Sequence, residues 1–214
     1  MTAPEDDPVV ATVERNGFVE SRHRGRVVGL APDGKTGVSI GAGEELLLLR
    51  SCAKPLQAAG LVRAGLDVDG SELAIASASH DGTPAHLDVV RALLAGAGLD
   101  EQVLDNTPAL PLEPAAAAAQ LLDGGPTRLH QNCSGKHAAM LATCVANGWP
   151  TAGYLDRDHP VQQAILAAIE DLAGEPVAHV ATDGCGAPIA AVSLLGLARA
   201  FRRLATAPPN SPEG

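Results

Sequence analysis

The chain has 214 residues, of which 46% are hydrophobic and 19% charged, and this balance excludes a globally disordered protein. The formal net charge is −10 and no cluster of lysines and arginines is present, so a nucleic-acid partner is not expected. Only 2% of the residues are aromatic, and the core must therefore be built from alanine, leucine, valine and isoleucine.

No stretch of the sequence is typical of a signal peptide or a membrane span. Residues 1–8 are acidic, and the dense apolar runs at 46–49 and 115–119 are far shorter than the roughly 20 residues that cross a bilayer. We therefore expect a cytoplasmic protein with no membrane partner. In that compartment the four cysteines are expected to be free thiols, ligands or nucleophiles.

The N-terminal part of the chain predicts β-strands. The β-rich segment 9–15 precedes Asn16-Gly17, which favours a tight hairpin turn because both turn positions need positive φ. Two further β-rich segments, 27–31 and 36–40, flank a Pro-Asp-Gly turn. The economical interpretation is an antiparallel meander.

The remainder of the chain is mainly helical in pattern. Apolar stripes and stop signals predict helices at 56–64, 85–97, 113–123, 135–147, 160–174 and 187–205. A short strand is predicted at 177–180, whereas the apolar segment 73–78 fits either a buried strand or a helix. Strands at the beginning and helices afterwards indicate an α+β fold.

The sequence shows no internal repeat, and we expect one domain over residues 9–207. The acidic segment 1–8 is predicted to be a disordered N-terminus. The Pro-rich segment 208–214 is predicted to be a disordered tail.

Ser51 and Lys54 form a Ser-x-x-Lys pair, and residues three apart lie on one face of a helix. A lysine with a lowered pKa can take the proton of a nearby serine hydroxyl and activate it for acyl transfer. By itself the spacing is weak, because a surface serine beside a solvated lysine is more common. Cys52 offers a rival nucleophile, although a buried, inert cysteine is the more common role.

A second polar cluster places two serines, Ser77 and Ser79, within ten residues of two histidines, His80 and His86. Such a loop suits proton transfer or hydrogen bonding to a substrate. The alternative is a polar loop that only caps the next helix.

A third cluster comprises residues 130–137 and 182–188, each of which contains a cysteine in a glycine-bearing turn. Cys133 and Cys185 with one or more nitrogen donors would make a zinc-type site. Two buried thiols without a metal explain the pattern equally well, because the spacing is not that of a Cys-x-x-Cys pair. Pro188 is expected to open the helix that follows.

Together these segments resemble one family, the asparaginase II family of rhizobial-type, zinc-associated L-asparaginases. The segments that carry the resemblance are RSCAKPLQ at 50–57, Ser79-His80 with His86, NTP at 106–108, NCSGKHAAML at 132–141 and DGCGAP at 183–188. The two cysteine motifs are specific in combination, and the resemblance runs from about residue 10 to residue 201.

The resemblance implies hydrolysis of L-asparagine to L-aspartate and ammonia. It also implies a fold similar to that of serine β-lactamases and glutaminases, and assembly as a homodimer. Ser51 matches the family's nucleophile, Lys54 its basic partner and Ser79 a second active-site serine. The substrate-binding residues expected from these motifs are His80, Asn132 and Asp183.

The resemblance also implies a zinc ion held by Cys133, Lys136 and Cys185, with water completing the shell. A lysine must be neutral to bind a metal, so binding would depend strongly on pH. Zinc would lie close to the serines and could bind or orient the substrate.

Two features depart from the family. Asp81-Gly82-Thr83 stands where Ser-Gly-Glu is usual, and the missing carboxylate affects the expected substrate contacts of that loop. The family also continues for roughly another third of a chain, which should hold a second active-site lysine and closing strands. A sheet without those strands is expected to expose an unpaired edge and apolar surface.

The leading hypothesis is therefore an amidohydrolase. The alternative is a truncated, catalytically silent relative that binds metal or oligomerises, and serine reactivity with ammonia release separates the two. A redox protein is a weaker third hypothesis, because the chain has no Cys-x-x-Cys.

Overall fold

The structure, a computed structural model, describes residues 7–209 and 211–213. Its strands are β1 Val9–Arg15, β2 Phe18–Arg24, β3 Val27–Leu30, β4 Thr36–Ile40, β5 Leu46–Leu48, β6 His179–Thr182 and β7 Pro188–Ser193. Its helices are α1 Lys54–Arg63, α2 Gly70–Ser77, α3 Pro84–Gly96, α4 Pro114–Leu122, α5 Ser134–Ala146, α6 Pro160–Ala173 and α7 Leu194–Ala205. The predicted disordered ends include residues 1–6, 210 and 214, which lie outside the described residues.

The strands of the described residues form three small antiparallel sheets. β1 pairs with β2, β3 pairs with β4, and β7 lies between β5 and β6. The predicted N-terminal meander is wrong, because β1–β2 and β3–β4 are two separate hairpins. Helices account for most of the remaining structure, and the predicted α+β class is confirmed.

The turn residues explain the first hairpin, which β1 and β2 form. Asn16 and Gly17 have φ values of 50° and 78°, which match the positive φ that the Asn-Gly pair favours. Both strands carry exposed apolar side chains, such as Val13 and Phe18, the latter 72% exposed.

The predicted helix over 187–205 is wrong in its first part, and so is the expectation that Pro188 opens it. Pro188–Ser193 is the central strand β7, and every one of its residues is buried. An alanine-rich apolar run suits a helix by propensity, but here pairing with the preceding strand β6 and the distant strand β5 overrides it. Pro188 occupies the first strand position, where its missing N–H is tolerated.

The helix begins only after Ser193, whose hydroxyl accepts a hydrogen bond from the Gly196 N–H at 2.8 Å. This is a normal serine cap, and it sets the junction between β7 and α7. The ambiguous segment 73–78 lies in helix α2, apart from its last residue, and the other predicted helices are found within a few residues of their expected bounds.

Close helix contacts bring the polar loops together. α1 packs on α6, and both α2 and α3 pack on α5. Gly135, in the first turn of α5, approaches α2 so closely that an added Cβ would lie 2.5 Å from the Ile75 carbonyl oxygen. The N-terminus of α5 therefore lies beside the loop that leaves α2, which holds Ser79 and His80.

Candidate active site

Lys54 lies where three segments of the chain meet. Its side chain is 2% exposed, and its Nζ lies 2.9 Å from Ser79 Oγ, 3.1 Å from the Ala78 carbonyl oxygen and 3.3 Å from the Asn132 carbonyl oxygen. All three are groups that can accept a hydrogen bond from the lysine nitrogen. The arrangement fixes the amine beside the Ser79 hydroxyl.

Local sequence explains why this lysine is buried. Lys54 is the first residue of α1, and Pro55 follows at a position where its fixed φ suits a helix start. Its neighbours Ala53 and Leu56 belong to the core, and they carry Lys54 inward with them. Burial lowers the pKa of Lys54, and the nearby Cys133 thiol opposes that shift.

Ser51 lies in the 3-10 turn Arg50–Ala53, which we call the serine turn. Its carbonyl oxygen accepts a hydrogen bond from the Lys54 N–H, and side chains three residues apart eclipse in such a turn. Ser51 is exposed, and its hydroxyl makes no hydrogen bond to any other residue that the structure describes. The amine that the sequence pairs with Ser51 is thus bonded to Ser79.

His80 ties the loop after α2 to the start of α5. Its backbone N–H donates to the Asn132 carbonyl oxygen at 3.2 Å, and the Gly82 N–H donates to its Nδ1 at 3.1 Å. Nδ1 is therefore an acceptor, so Nε2 carries the proton and donates to Ser134 Oγ at 2.8 Å. Burial, followed by the effect of His86, lowers the pKa of His80 to about 4. Both ring nitrogens of this predicted substrate-binding residue are occupied by protein groups.

The departure at 81–83 continues this loop from an exposed residue, Asp81, to a buried glycine, Gly82. Gly82 has a φ of 75°, and an added Cβ would lie 2.9 Å from Pro111 Cβ, so the position requires glycine. The Asp81 carbonyl oxygen accepts from the Glu113 N–H, and Thr83 Oγ1 lies 2.9 Å from His86 Nδ1. Asp81 itself is exposed.

A cavity of about 250 Å³ opens beside Ser79. Its lining includes Ser71, Ile75, His80, His86 and Val89. None of its lining side chains is a lysine, an arginine or a carboxylate. Ser79 thus lines a space without lysine, arginine or carboxylate side chains, and its hydroxyl contacts the Lys54 amine.

Two cysteines and a lysine form a second group, which we call the thiol site. Cys133 caps the N-terminus of α5 and is 5% exposed, and Cys185 lies in the β6–β7 turn and is 2% exposed. Lys136 Nζ donates to Cys185 Sγ at 3.4 Å. The structure therefore brings together the three residues predicted to hold zinc, and both cysteines are free thiols.

The thiol site favours one thiolate. A hydrogen bond from the Cys185 thiol, helped by the positive charges of Lys136 and Lys54, lowers the pKa of Cys133 to about 5 against the effect of burial. The same contact with Cys133, together with burial, raises the pKa of Cys185. The positive charges of the two lysines thus favour one thiolate within the pair.

Zinc in proteins prefers sulfur and nitrogen donors, and the thiol site offers two sulfurs and one amine in a buried position. Within the described part of the chain, no three or more histidines, cysteines, aspartates and glutamates gather as a metal site. The third donor here is the lysine amine, a ligand only when neutral. The residues present therefore fit zinc, with Lys136 in an unusual role.

The other two predicted substrate-binding residues flank these groups. The Asn132 side-chain oxygen accepts from Gln131 Nε2 at 2.9 Å and lies 3.7 Å from Cys133 Sγ. The Asp183 carboxylate is 2.9 Å from an Arg50 guanidinium nitrogen. The side chains of Asn132 and Asp183 therefore both contact other residues of the protein in this structure.

Sequence reasoning missed a buried polar scaffold behind the thiol site. Asn106 Nδ2 donates to Gln131 Oε1 at 3.1 Å, and the same oxygen accepts from the Cys133 N–H at 2.9 Å. Tyr154 Oη lies 2.8 Å from His137 Nδ1. One available signal was the chain's single tyrosine, since a buried tyrosine hydroxyl usually needs a partner.

The described fold and site can be compared with known families. The family model for L-asparaginase II matches residues 11–213, and the chain belongs to that family. Membership indicates an amidohydrolase with a small-molecule substrate. A comparison with curated proteins gave no significant match. Among residues 7–209 and 211–213, no helix is long and apolar enough to cross a membrane.

Proposed function

We propose that the protein hydrolyses the side-chain amide of L-asparagine to L-aspartate and ammonia. The observation that supports this is the 2.9 Å contact between Lys54 Nζ and Ser79 Oγ, in a chain of the L-asparaginase II family. Burial lowers the pKa of Lys54, and a lowered pKa favours the neutral amine that a base for serine chemistry requires.

In the proposed reaction the Ser51 oxygen attacks the amide carbon, and Lys54 takes the hydroxyl proton. Ser79, bonded to Lys54, passes that proton to the departing nitrogen. The carbon–nitrogen bond breaks, ammonia leaves, and an ester remains on Ser51. Water then hydrolyses the ester and releases L-aspartate. Backbone N–H groups near Ser51 stabilise the negative oxygen of each tetrahedral intermediate.

Cys133, Lys136 and Cys185 are proposed to hold a zinc ion. A bound zinc ion polarises a carbonyl oxygen as a Lewis acid. The buried position of the two sulfurs and the amine, with Lys136 Nζ 3.4 Å from Cys185 Sγ, supports this assignment. From the family resemblance we also propose a homodimer and a fold related to serine β-lactamases and glutaminases. From the sequence pattern we propose a cytoplasmic location.

The test is ammonia release from L-asparagine by the wild type and by Ser51→Ala, Ser79→Ala and Lys54→Met. Ser51→Ala should abolish turnover, and Lys54→Met should lower kcat by roughly 10²–10⁴-fold. Ser77→Ala is the matched control, because that hydroxyl bonds only to backbone carbonyls of its own helix. It should keep wild-type activity.

Two results would change the proposal. Full activity in Ser51→Ala with loss in Ser79→Ala would make Ser79 the attacking residue. A folded, zinc-loaded wild type that releases no ammonia would instead identify a silent metal-binding or oligomerisation relative. Zinc content is measured by elemental analysis of the same samples.

A further inference from the structure

Arg50, the residue before Ser51, has an unusual backbone conformation. Its φ is +49°, and among the described residues Asn16 is the other non-glycine residue with positive φ. Asn16 occupies a hairpin turn, where asparagine tolerates this region. For arginine the conformation carries a steric cost. Such strain persists only where neighbouring contacts hold it, and it is frequent at functional sites.

Contacts on two sides hold the serine turn. The N–H of the buried Leu49 donates to the Ala190 carbonyl oxygen at 3.1 Å, which attaches the turn to β7. On the other side an Arg50 guanidinium nitrogen is 2.9 Å from Asp183 Oδ1. The Asp183 side chain is 12% exposed and the Arg50 side chain 64% exposed, so the pair joins a shielded carboxylate to a largely solvated guanidinium.

Asp183 is itself fixed by its turn. Its N–H donates to the Ala187 carbonyl oxygen, and its carbonyl oxygen accepts from the Gly186 N–H, both at 2.9 Å. The second carboxylate oxygen lies 3.8 Å from Cys185 Sγ. The Asp183 carboxylate, carried by this fixed backbone, therefore contacts both the serine turn and the thiol site.

We propose that the Arg50–Asp183 ion pair is a positioning device that keeps the strained serine turn in the geometry needed for attack by Ser51. This rests on the proposed function, in which Ser51 is the nucleophile. Both residues act through Ser51. Losing either one slows acylation more than it weakens substrate binding, because a small displacement of the attacking oxygen is costly.

The experiment measures kcat and KM for L-asparagine in Arg50→Ala, Asp183→Asn and the double variant. It also measures the rate at which an aryl ester acylates Ser51, by mass spectrometry. Each single variant should lose about 10–100-fold in kcat and in acylation rate, with KM within roughly twofold. The double variant should be no worse than the single variants, because they break the same pair.

Further variants at Arg50 separate the effect of its side-chain ion pair from the effect of its strained backbone. Arg50→Gly accepts the positive φ without strain but lacks the ion pair, so it should lose kcat as Arg50→Ala does. Arg50→Lys keeps a cation and should recover part of the loss. The matched control is Arg15→Ala, which removes an exposed ion pair with Glu20 at 2.9 Å and should behave as the wild type.

Several outcomes would overturn the positioning role. One is an Arg50→Ala protein with the kcat and acylation rate of the wild type. Another is an Arg50→Ala protein in which only KM rises, which would assign Arg50 to substrate binding. A loss of zinc proportional to the loss of kcat would assign the pair to the thiol site. If the wild type is not acylated on Ser51 and Ser51→Ala is fully active, the proposed nucleophile fails and the positioning role fails with it. Serine-dependent activity that the variants leave unchanged removes only the positioning role.

Discussion

In the N-terminal hairpin every residue of β1 is exposed, whereas most residues of α5 are buried, including Lys136 and His137. The hairpin's ion pair, Arg15–Glu20, lies in water. Lys54 in the interior instead has three protein acceptors. Local turn chemistry is enough to define the first region, while the second depends on contacts between distant segments. The side chains suited to catalysis are thus the buried ionisable ones, such as Lys54, because burial changes their pKa.

The largest expected contrast is between a core leucine and a strand valine. Leu56 is 0% exposed, so Leu56→Ala leaves a cavity and should lower the free energy of unfolding by about 2–5 kcal/mol. Val13 is 45% exposed, and Val13→Ala should change it by no more than about 0.5 kcal/mol. Urea unfolding measures both. Similar losses in the two variants would contradict the contrast.

A pair of glycines gives the next contrast, within the helical region. Gly135→Ala would place its Cβ 2.5 Å from the Ile75 carbonyl oxygen, so α5 and α2 must shift apart, at about 1–3 kcal/mol. Gly96, at the end of α3, faces open space, and Gly96→Ala should stabilise by roughly 0.4–1 kcal/mol. Thermal unfolding of both variants checks the signs. Equal changes in Tm for the two variants would show that α5 and α2 do not pack as closely at Gly135 as described.

The pH dependence of stability should reflect His80. Its pKa of about 4 lies below the 6.5 of a free histidine, so between these values the unfolded chain binds a proton that the folded chain does not. The contribution is complete above pH 6.5 and is lost as pH falls toward 4. Comparing urea unfolding at about pH 7.5 and about pH 5 should show a smaller change in His80→Asn than in the wild type. An unchanged difference would remove His80 as the cause.

The smallest effect concerns thiol reactivity, with no change in stability expected. Burial raises the pKa of Cys144 to about 11, and Cys52 is exposed. Iodoacetamide should therefore label Cys52 in the folded protein and Cys144 only after unfolding. Peptide mass spectrometry measures both sites, and Cys52→Ser serves as the control. Equal labelling of Cys52 and Cys144 in the folded protein would contradict the assigned burial.

The sequence predicted well where the cause is local. Asn16-Gly17 places the first hairpin, and apolar stripes place the helices near their observed bounds. It failed at Pro188–Ser193, because nothing in that run shows that β6, just before it, and the distant β5 pair with its two edges. Secondary-structure propensity depends on the residues of one segment. Burial of a strand between two neighbouring strands depends on the whole fold.

The same division holds for the site. The motifs identified Cys133, Lys136 and Cys185, and the structure brings them together. Spacing paired Lys54 with Ser51, yet the fold brings Ser79 to the amine from the loop after α2. The contact between Arg50 and Asp183 joins segments that no local pattern links.

The central position of β7 has a consequence for how the protein is made. β5 leads directly into the serine turn, and its pairing partner β7 follows the turn that holds Asp183 and Cys185. The ribosome synthesises the chain from its N-terminus, so β5 is made long before its partner β7. The sheet can therefore form only after β7 has been synthesised. The hairpin at residues 9–24 can fold early, because its contacts are local. The serine turn and the thiol site should instead reach their final geometry together, in a late step of synthesis.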